Sequence, residues 1–384
     1  MSEKATIRAF ANGGEAVGTL ESGKTVFVRG AIPGEVVEVE IFQDKNRYSR
    51  GRLLNIIEES SERIASFCPE FPRCPGCSYC HVPYRVELEW KQKQLEYLLR
   101  DFEGIVYNSP VGAPGRTHWR NKLTLHIENS RCGYRSDDNM TLVPVTSCAI
   151  AAEPINEKIA ALDLRQEKSV ILRYTPQEGV AVFDRKKGCR KIITEHLREA
   201  GVFKVAADGF FQTNPEIADK LLSYVVSEVQ AANCRELCEL YCGVGVFSIA
   251  CAGKIPELRC TGVEISKDSV IRCRNNAANH NVSERCRFHA GDAGTLFSRY
   301  KPQNSDFLLL VDPPRTGMDK NMINCIKRHH PAQLIYISCA ADTLARDLRN
   351  LASDYTIDRV TLFDMFPSTA HFETVTVLKR IAAE

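Results

Sequence analysis

No stretch of this 384-residue chain approaches the roughly 20 consecutive apolar residues that cross a bilayer as a helix. Met1-Ser2-Glu3-Lys4 has no apolar run behind it, so no secretory signal is expected and the cytosol is the default location, with no membrane partner. Net charge is nearly absent, +2 from 50 basic and 48 acidic residues. A nucleic-acid partner would therefore be held by local patches and not by a global basic field. The turn Cys242-Gly243-Val244-Gly245 lacks the third glycine of G-x-G-x-x-G, which argues against a nicotinamide enzyme.

What the chain does have is cysteine, 16 residues of it. In a reducing cytosol these should be thiols, not disulfides. Cys189, Cys234, Cys251, Cys260, Cys273, Cys286 and Cys325 are scattered singly and read as packing residues. The run Cys68 to His81 differs: Cys68, Cys74, Cys77, Cys80 and His81 fall within 14 residues, with Pro and Gly between them. Such a loop can wrap a metal. Zinc and a four-iron cluster both accept thiolate sets, and spacing alone does not choose between them. The C-x5-C-x2-C spacing does not match the C-x3-C-x2-C usual in radical enzymes that cleave S-adenosylmethionine.

Residues 4 to 58 hold five short runs rich in β-branched residues, separated by turns such as Asn12-Gly13-Gly14 and Ile32-Pro33-Gly34-Glu35, which predicts a small OB-like barrel. Its one candidate nucleic-acid patch is Lys45, Arg47, Arg50 and Arg52 around Tyr48. Tyr84 to Phe102 reads as a helix. The segment from about 116 to 205 reads as mostly β, with two basic runs, His118 to Lys122 and Phe183 to Lys191, that could hold phosphates. From Glu216 onward helices and strands alternate, predicting a doubly wound sheet. Gly243 and Gly245 sit at a strand-to-helix turn, where a cofactor can approach the backbone. Glu264 ends the next strand about 20 residues on, the place for a ribose diol. Asp292 and Asp312 tip two later strands. Leu334 to Ile337 is a buried strand, then comes a small-residue turn carrying Cys339, then a helix with Asp342 as N-cap. A thiol beside a helix N-terminus is expected to favour its thiolate form.

Several motifs together resemble one family, the RNA uracil-5-methyltransferases, in particular the 23S ribosomal RNA branch with an iron–sulfur cluster. They are Phe210-Phe211-Gln212-Thr213-Asn214-Pro215, Leu240 to Gly245, Val311-Asp312-Pro313-Pro314-Arg315-Thr316-Gly317, Ser338-Cys339 with Thr343 to Asp347, and His371-Phe372-Glu373. Gly-Glu-Ala-Val-Gly at 14–18 and Val26 to Glu35 resemble the TRAM domain of RNA-modifying enzymes. The chain departs in two places: Ala340-Ala341 stands where the family has Asn-Pro, and Val246 where Asn or Thr is common.

The resemblance implies an α/β fold: a Rossmann-like methyltransferase domain (residues 85–115 and 206–384), a TRAM barrel (1–58) and a mostly β central domain with an iron–sulfur site (59–84 and 116–205). It implies S-adenosyl-L-methionine and a [4Fe-4S] cluster as cofactors, the cluster on Cys68, Cys74, Cys77 and Cys148, with Cys80 as an alternative fourth ligand. Gln212, Tyr241, Gly243, Gly245, Glu264, Asp292 and Asp312 are implied at the cofactor and uracil sites. Cys339 is implied as the nucleophile and Glu373 as the base. The chemistry agrees: carbon 5 of uracil is a poor nucleophile until a thiolate adds to carbon 6, and a buried Glu can have the raised pKa a base needs. The implied partner is RNA, 23S ribosomal RNA first and transfer RNA second, for a protein expected to be a monomer.

Overall fold

The alternation of β-branched residues with turn glycines closes the first segment on itself. In the computed structural model, which describes residues 2–136, 140–165, 168–304 and 306–382, the first five strands are β1 (Ser2–Phe10), β2 (Ala16–Leu20), β3 (Thr25–Arg29), β4 (Val36–Asp44) and β5 (Tyr48–Glu58). They form a closed barrel in the order β1-β2-β3-β5-β4. Every second residue points inward: Val26 and Val28 of β3 and Val37 and Val39 of β4 are wholly buried. Arg50 pairs with Glu15 and Arg52 with Glu40, so half of the barrel's expected basic patch is neutralised by its own acids.

Helix α1 (Tyr84–Leu98) bridges two cores, since Val86 packs in the barrel while Leu95 and Leu99 pack under the large sheet. After β6 (Val106–Tyr107) the central segment gives β7 (Lys122–Glu128), β8 (Arg131–Arg135), β9 (Leu142–Pro144), α2 (Glu153–Ala160), β10 (Lys168–Thr175) and β11 (Gly179–Asp184). Its strands make one sheet, β11-β10-β7-β8-β9. A hairpin, β12 (Ile192–Leu197) and β13 (Gly201–Ala206), follows. Although it falls in the stretch assigned to the central domain, its Ile193, Phe203 and Val205 pack with the helix that comes next.

That helix is α3 (Pro215–Ala231), capped by the Asn214 side chain, which accepts from Ile217 N. Then come β14 (Glu236–Leu240), α4 (Val246–Lys254), β15 (Arg259–Glu264), α5 (Lys267–Asn279), β16 (Cys286–Ala290), α6 (Ala293–Phe297), β17 (Leu308–Val311), α7 (Lys320–His329), β18 (Gln333–Ser338), α8 (Ala341–Leu351), β19 (Tyr355–Phe363) and β20 (Glu373–Arg380). The eight-stranded sheet runs β16-β15-β14-β17-β18-β20-β19-β6. β14 to β18 pair in parallel, whereas β20 lies antiparallel to both β18 and β19. The central parallel strands β14 and β17 are buried on both faces, as helices on each side require. Among the described residues, no helix is long and apolar enough to cross a membrane.

Candidate active site

The register of two neighbouring strands makes the site. Ser338 of β18 stands opposite Thr374 of β20. One residue further along this antiparallel pair, Cys339 faces Glu373, although 34 positions separate them. Asp312 directly follows β17, the neighbour of β18 on its other side. Three reactive side chains thus converge from three adjacent strand ends, the place where open α/β sheets bind ligands.

Electrostatics set their state. Burial pushes Cys339 up to about 11, and Glu373 and Asp312 push it further while Arg315 opposes them. The expected thiolate stabilisation by the helix N-terminus does not prevail, because desolvation and two carboxylates outweigh a helix dipole of a few tenths to 1 kcal/mol. Burial also raises Glu373 well above the carboxylate range, with Asp312 adding to it. Its Oε2 is buried and has no hydrogen-bond partner among the described residues. Asp312 is likewise raised by burial. The pair is a proton-holding arrangement: two carboxyls and a thiol share one sparsely solvated space.

The loops around them are clamped. Asp342 is not the N-cap of α8; Ala340 is, and no side chain caps it. The turn is held instead by Ser338, whose Oγ accepts from Ala340 N at 3.2 Å, and by the Thr343 hydroxyl, within reach of the Ala340 and Arg315 carbonyls. These bonds fix the Ala340-Ala341 turn without a proline. Asp347 Oδ2 accepts from Met318 N at 2.7 Å and from the buried Tyr336 hydroxyl, and Arg346 donates to the carbonyls of Thr316 and Met318. Gly317 is required here: its φ is +71°, and a Cβ would sit 2.5 Å from Arg346 and 2.6 Å from Asp347. The segment before Glu373 is held by the wholly buried Lys91, which lies 2.7 Å from both Glu87 and Asp364. Glu87 also accepts from Ser368 N at 2.6 Å. A third anchor, the buried Arg173, pairs with Glu195 at 2.7 Å and donates to Gly209 O at 2.8 Å, fixing the backbone just before Gln212.

All of this opens on one cavity of about 1490 Å³, lined by Gln212, Tyr241, Gly243, Glu264, Asp292, Asp312, Cys339 and Glu373. That exceeds the roughly 300–1,000 Å³ of a single small-molecule site, so two ligands fit side by side. At the end away from Cys339, Glu264 accepts from Gly243 N at 3.0 Å and Ser266 N at 2.9 Å. Asp292 caps α6 by accepting from Thr295, which lowers its pKa. Gly243 has open space where a Cβ would stand, so a ligand can lie against its backbone, whereas Gly245 packs on Phe288 behind the loop and does not line the cavity.

Sequence reasoning gave no role to Glu239, and named His371 only as part of a motif. Glu239 is buried, accepts from Ser248 N at 2.9 Å and is pushed up to about 8 by burial, bracing the start of α4. His371, lowered to about 4 by burial and Arg315, stands 2.7 Å from Arg315 and is neutral there. Lining one face are Arg120, Lys187, Arg190 and the exposed Phe210. Arg120, Lys187 and Arg190 come from the two basic runs singled out in the sequence.

The cysteine loop forms part of the rim through Pro75 and Gly76. Arg29 of the barrel donates to the carbonyls of Pro72, Cys74 and Cys77, each at 2.8 Å. The Cys74 thiol is raised to about 12 by burial, with Cys77, Cys148 and Cys68 adding to it. Cys148, 71 positions away from Cys77, therefore lies within electrostatic reach of the loop. Cys80 is buried and touches Cys77. His81 turns away to stack on Phe71 and bond the Ala31 carbonyl. Among the described residues, no group of three or more His, Cys, Asp or Glu side chains is gathered closely enough to hold a metal ion, so the expected metal centre is not assembled in this structure.

The profile of the tRNA (Uracil-5-)-methyltransferase family matches residues 190–381, and that of the TRAM domain residues 3–54. The tRNA (uracil(54)-C(5))-methyltransferase of Schizosaccharomyces pombe is 27% identical over 98% of this chain and 78% of that protein. The 23S rRNA (uracil(1939)-C(5))-methyltransferase of Tolumonas auensis is 27% identical over 93% of this chain and 92% of its own. The crystal structure of Pyrococcus abyssi tRNA (uracil-54, C5)-methyltransferase in complex with S-adenosyl-L-homocysteine shares the fold, with a TM-score of 0.76 at 21% identity, covering 98% of this chain and 100% of that one. The family match spans half of the chain, over the sheet that carries every reactive group described above, and with the TRAM match before it the chain belongs to the S-adenosylmethionine-dependent RNA uracil-5-methyltransferases.

Proposed function

We propose that this protein methylates carbon 5 of a uridine in 23S ribosomal RNA through a covalent adduct between Cys339 and carbon 6, with Glu373 as the base. The observation that carries the reading is the register of β18 and β20, which faces Cys339 toward Glu373 at the end of a cavity with room for two ligands. The Cys339 thiol, raised and flanked by two carboxyls, passes its proton to Asp312 as sulfur adds to carbon 6 of the ring. Electron density then gathers at carbon 5. Bound S-adenosylmethionine supplies an electrophilic methyl group, which carbon 5 takes. Glu373, ionised and without a hydrogen-bond partner on Oε2, removes the carbon-5 proton. The carbon 5–carbon 6 double bond re-forms and the Cys339 thiolate leaves. Gly243, Glu264 and Asp292 would hold the adenosine, Tyr241 its face, and Gln212 and Asp312 the methionine end or the uracil. A uridine in a folded RNA has to be flipped out to reach Cys339, and Phe210 with Arg120 and Lys187 offers a stacking and phosphate surface at the mouth.

Transfer RNA is the second reading, favoured by the fission-yeast relative, which matches nearly all of this chain. Mapping 5-methyluridine by mass spectrometry in ribosomal and transfer RNA from a deletion strain separates the two. Loss from neither RNA overturns the function.

We also assign Cys68, Cys74, Cys77 and Cys148 as ligands of a [4Fe-4S] cluster. The donor chemistry supports the assignment: burial raises the Cys68 and Cys74 thiols, with Cys77 and Cys148 adding to both, and thiolates in such a place gain when a cationic cluster neutralises them. Arg29 holds their loop, and Cys80 is buried against Cys77. The cluster would staple the loop that rims the cavity. Anaerobic protein should be brown, with broad absorbance near roughly 400 nm; a colourless preparation with stoichiometric zinc overturns the assignment.

A further inference from the structure

Among the crossovers from β14 to β18, the one between β16 and β17 is unlike the rest. Its helix, α6, has only 5 residues, against 9, 13 and 10 in α4, α5 and α7. A helix that short covers about 7.5 Å of sheet. It reaches Cys238 and Val263, with which Phe297 packs. The outermost strand, β16, is left bare on that face.

A bare face of a parallel sheet is expected to be apolar and covered by another element. Here it is cationic. Arg287 and His289 of β16 point outward and are exposed, opposite Thr261 and Val263 of β15. Arg259 opens β15 on the same side, and Arg299 and Lys301 follow α6. Together they line a groove of about 380 Å³.

The acids in this groove do not cancel that charge. Glu236 is occupied by the Tyr300 hydroxyl and by the backbone N–H groups of Gln303 and Asn304. Glu284 is the remaining carboxylate. Arg285 spends its Nη1 on the Ile255 carbonyl at 3.0 Å. Among the described residues, no hydrogen bond or ion pair engages the side chains of Arg259, Arg287, Arg299 or Lys301. A chain with a net charge of +2 thus keeps four uncommitted cations in one concave place.

The geometry points to this groove as a second RNA-binding surface that holds phosphodiester groups of the substrate remote from the target uridine. Its open strand presents Arg287 and His289 and no phenyl, phenol or indole ring, so its charge grips backbone. α6 divides it from the main cavity, with Asp292 and Ala293 facing the cavity and Leu296 and Phe297 the groove. One folded RNA can therefore lie over the domain edge and touch both. The inference rests on the RNA reading of the main site and adds a footprint to it.

The test is the salt dependence of binding to fluorescently labelled, unmodified transfer RNA and a 23S ribosomal RNA fragment, using the full-length protein. Four phosphate contacts contribute about 3 to the slope of log K against log salt. The quadruple variant Arg259→Gln/Arg287→Gln/Arg299→Gln/Lys301→Gln should lower the slope by that amount on one of the RNAs. It should weaken binding at least about tenfold at low salt. The KM for RNA should rise, with kcat and the KM for S-adenosylmethionine unmoved. If that variant does not fold, Arg287→Gln/Lys301→Gln, on two exposed side chains, should lower the slope about half as much. An unchanged slope in a variant that folds overturns the groove while leaving the active-site reading intact. Failure of the unmodified protein to bind either RNA overturns both.

Discussion

The two ends of the large cavity treat their carboxylates in opposite ways. At the end away from Cys339, Glu264 and Asp292 are surrounded by backbone and hydroxyl donors. At the other end Glu373 and Asp312 are buried close to one another, and Glu373 Oε2 has no donor at all. Donors stabilise the ionised form and burial opposes it. One end is therefore rich in donors, while the other holds carboxyls that burial keeps protonated above the usual range. The protein sustains the destabilised end by clamping the backbone around it, through Lys91, Arg173 and Asp347.

The largest effect should come from Cys339→Ala. Turnover is expected to fall by at least about 10³-fold, the scale for loss of a covalent catalyst. No adduct should form with RNA containing 5-fluorouracil, read on a denaturing gel. Methylation by that variant would remove the reacting end from the comparison altogether. Next is Glu373→Gln, where turnover should drop by about 10²–10⁴-fold, as for a missing general base. Here the adduct should still form and accumulate on normal RNA, because addition precedes proton removal. A variant that forms no adduct would make Glu373 part of the addition step instead.

Glu264→Gln probes the other end. Losing one charge-assisted hydrogen bond costs about 1.5 kcal/mol, so the KM for S-adenosylmethionine should rise roughly tenfold with kcat little changed. A large fall in kcat at saturating cofactor would show that the two ends are not separate in function. The smallest effect concerns pH. In the proposed mechanism Glu373 acts ionised and Cys339 reacts as thiolate, and both are raised, so kcat/KM should climb from neutral into alkaline pH. Stability runs the other way. The folded protein keeps the Glu373 proton above the ordinary carboxyl range near 4.3, where the unfolded chain has lost it, so stability falls as pH rises from there toward the folded pKa. Glu373→Gln should remove part of that loss, raising the melting temperature at alkaline pH by a few degrees. An unaltered melting curve at alkaline pH would mean that the carboxyl is better solvated than its burial implies.

How much of this was legible beforehand varies with the physical origin of each feature. The barrel, the doubly wound half and the strand ends carrying Asp312, Cys339 and Glu373 all follow from local periodicity and from turn residues in short windows. The mistaken N-cap was also local: Asp342 is a good capping residue, but the Ser338 and Thr343 hydroxyls already hold the turn one residue pair earlier. The state of the Cys339 thiol was misjudged for another reason. A helix N-terminus is visible in a sequence, whereas the two carboxyls that desolvate and oppose the thiolate arrive from other strands.

The order of residues alone determined which groups stand at the element ends: one thiol after a buried strand, one glutamate at the start of another, and glycines at a strand-to-helix turn. Only the tertiary structure decided that they meet. A β20 that runs antiparallel between β18 and β19 sets Cys339 against Glu373 by its register, and a short α6 leaves cations uncovered at the sheet edge. Pairing across a sheet and the length of cover over its face depend on distant segments, and no window of local sequence contains both partners of such a contact.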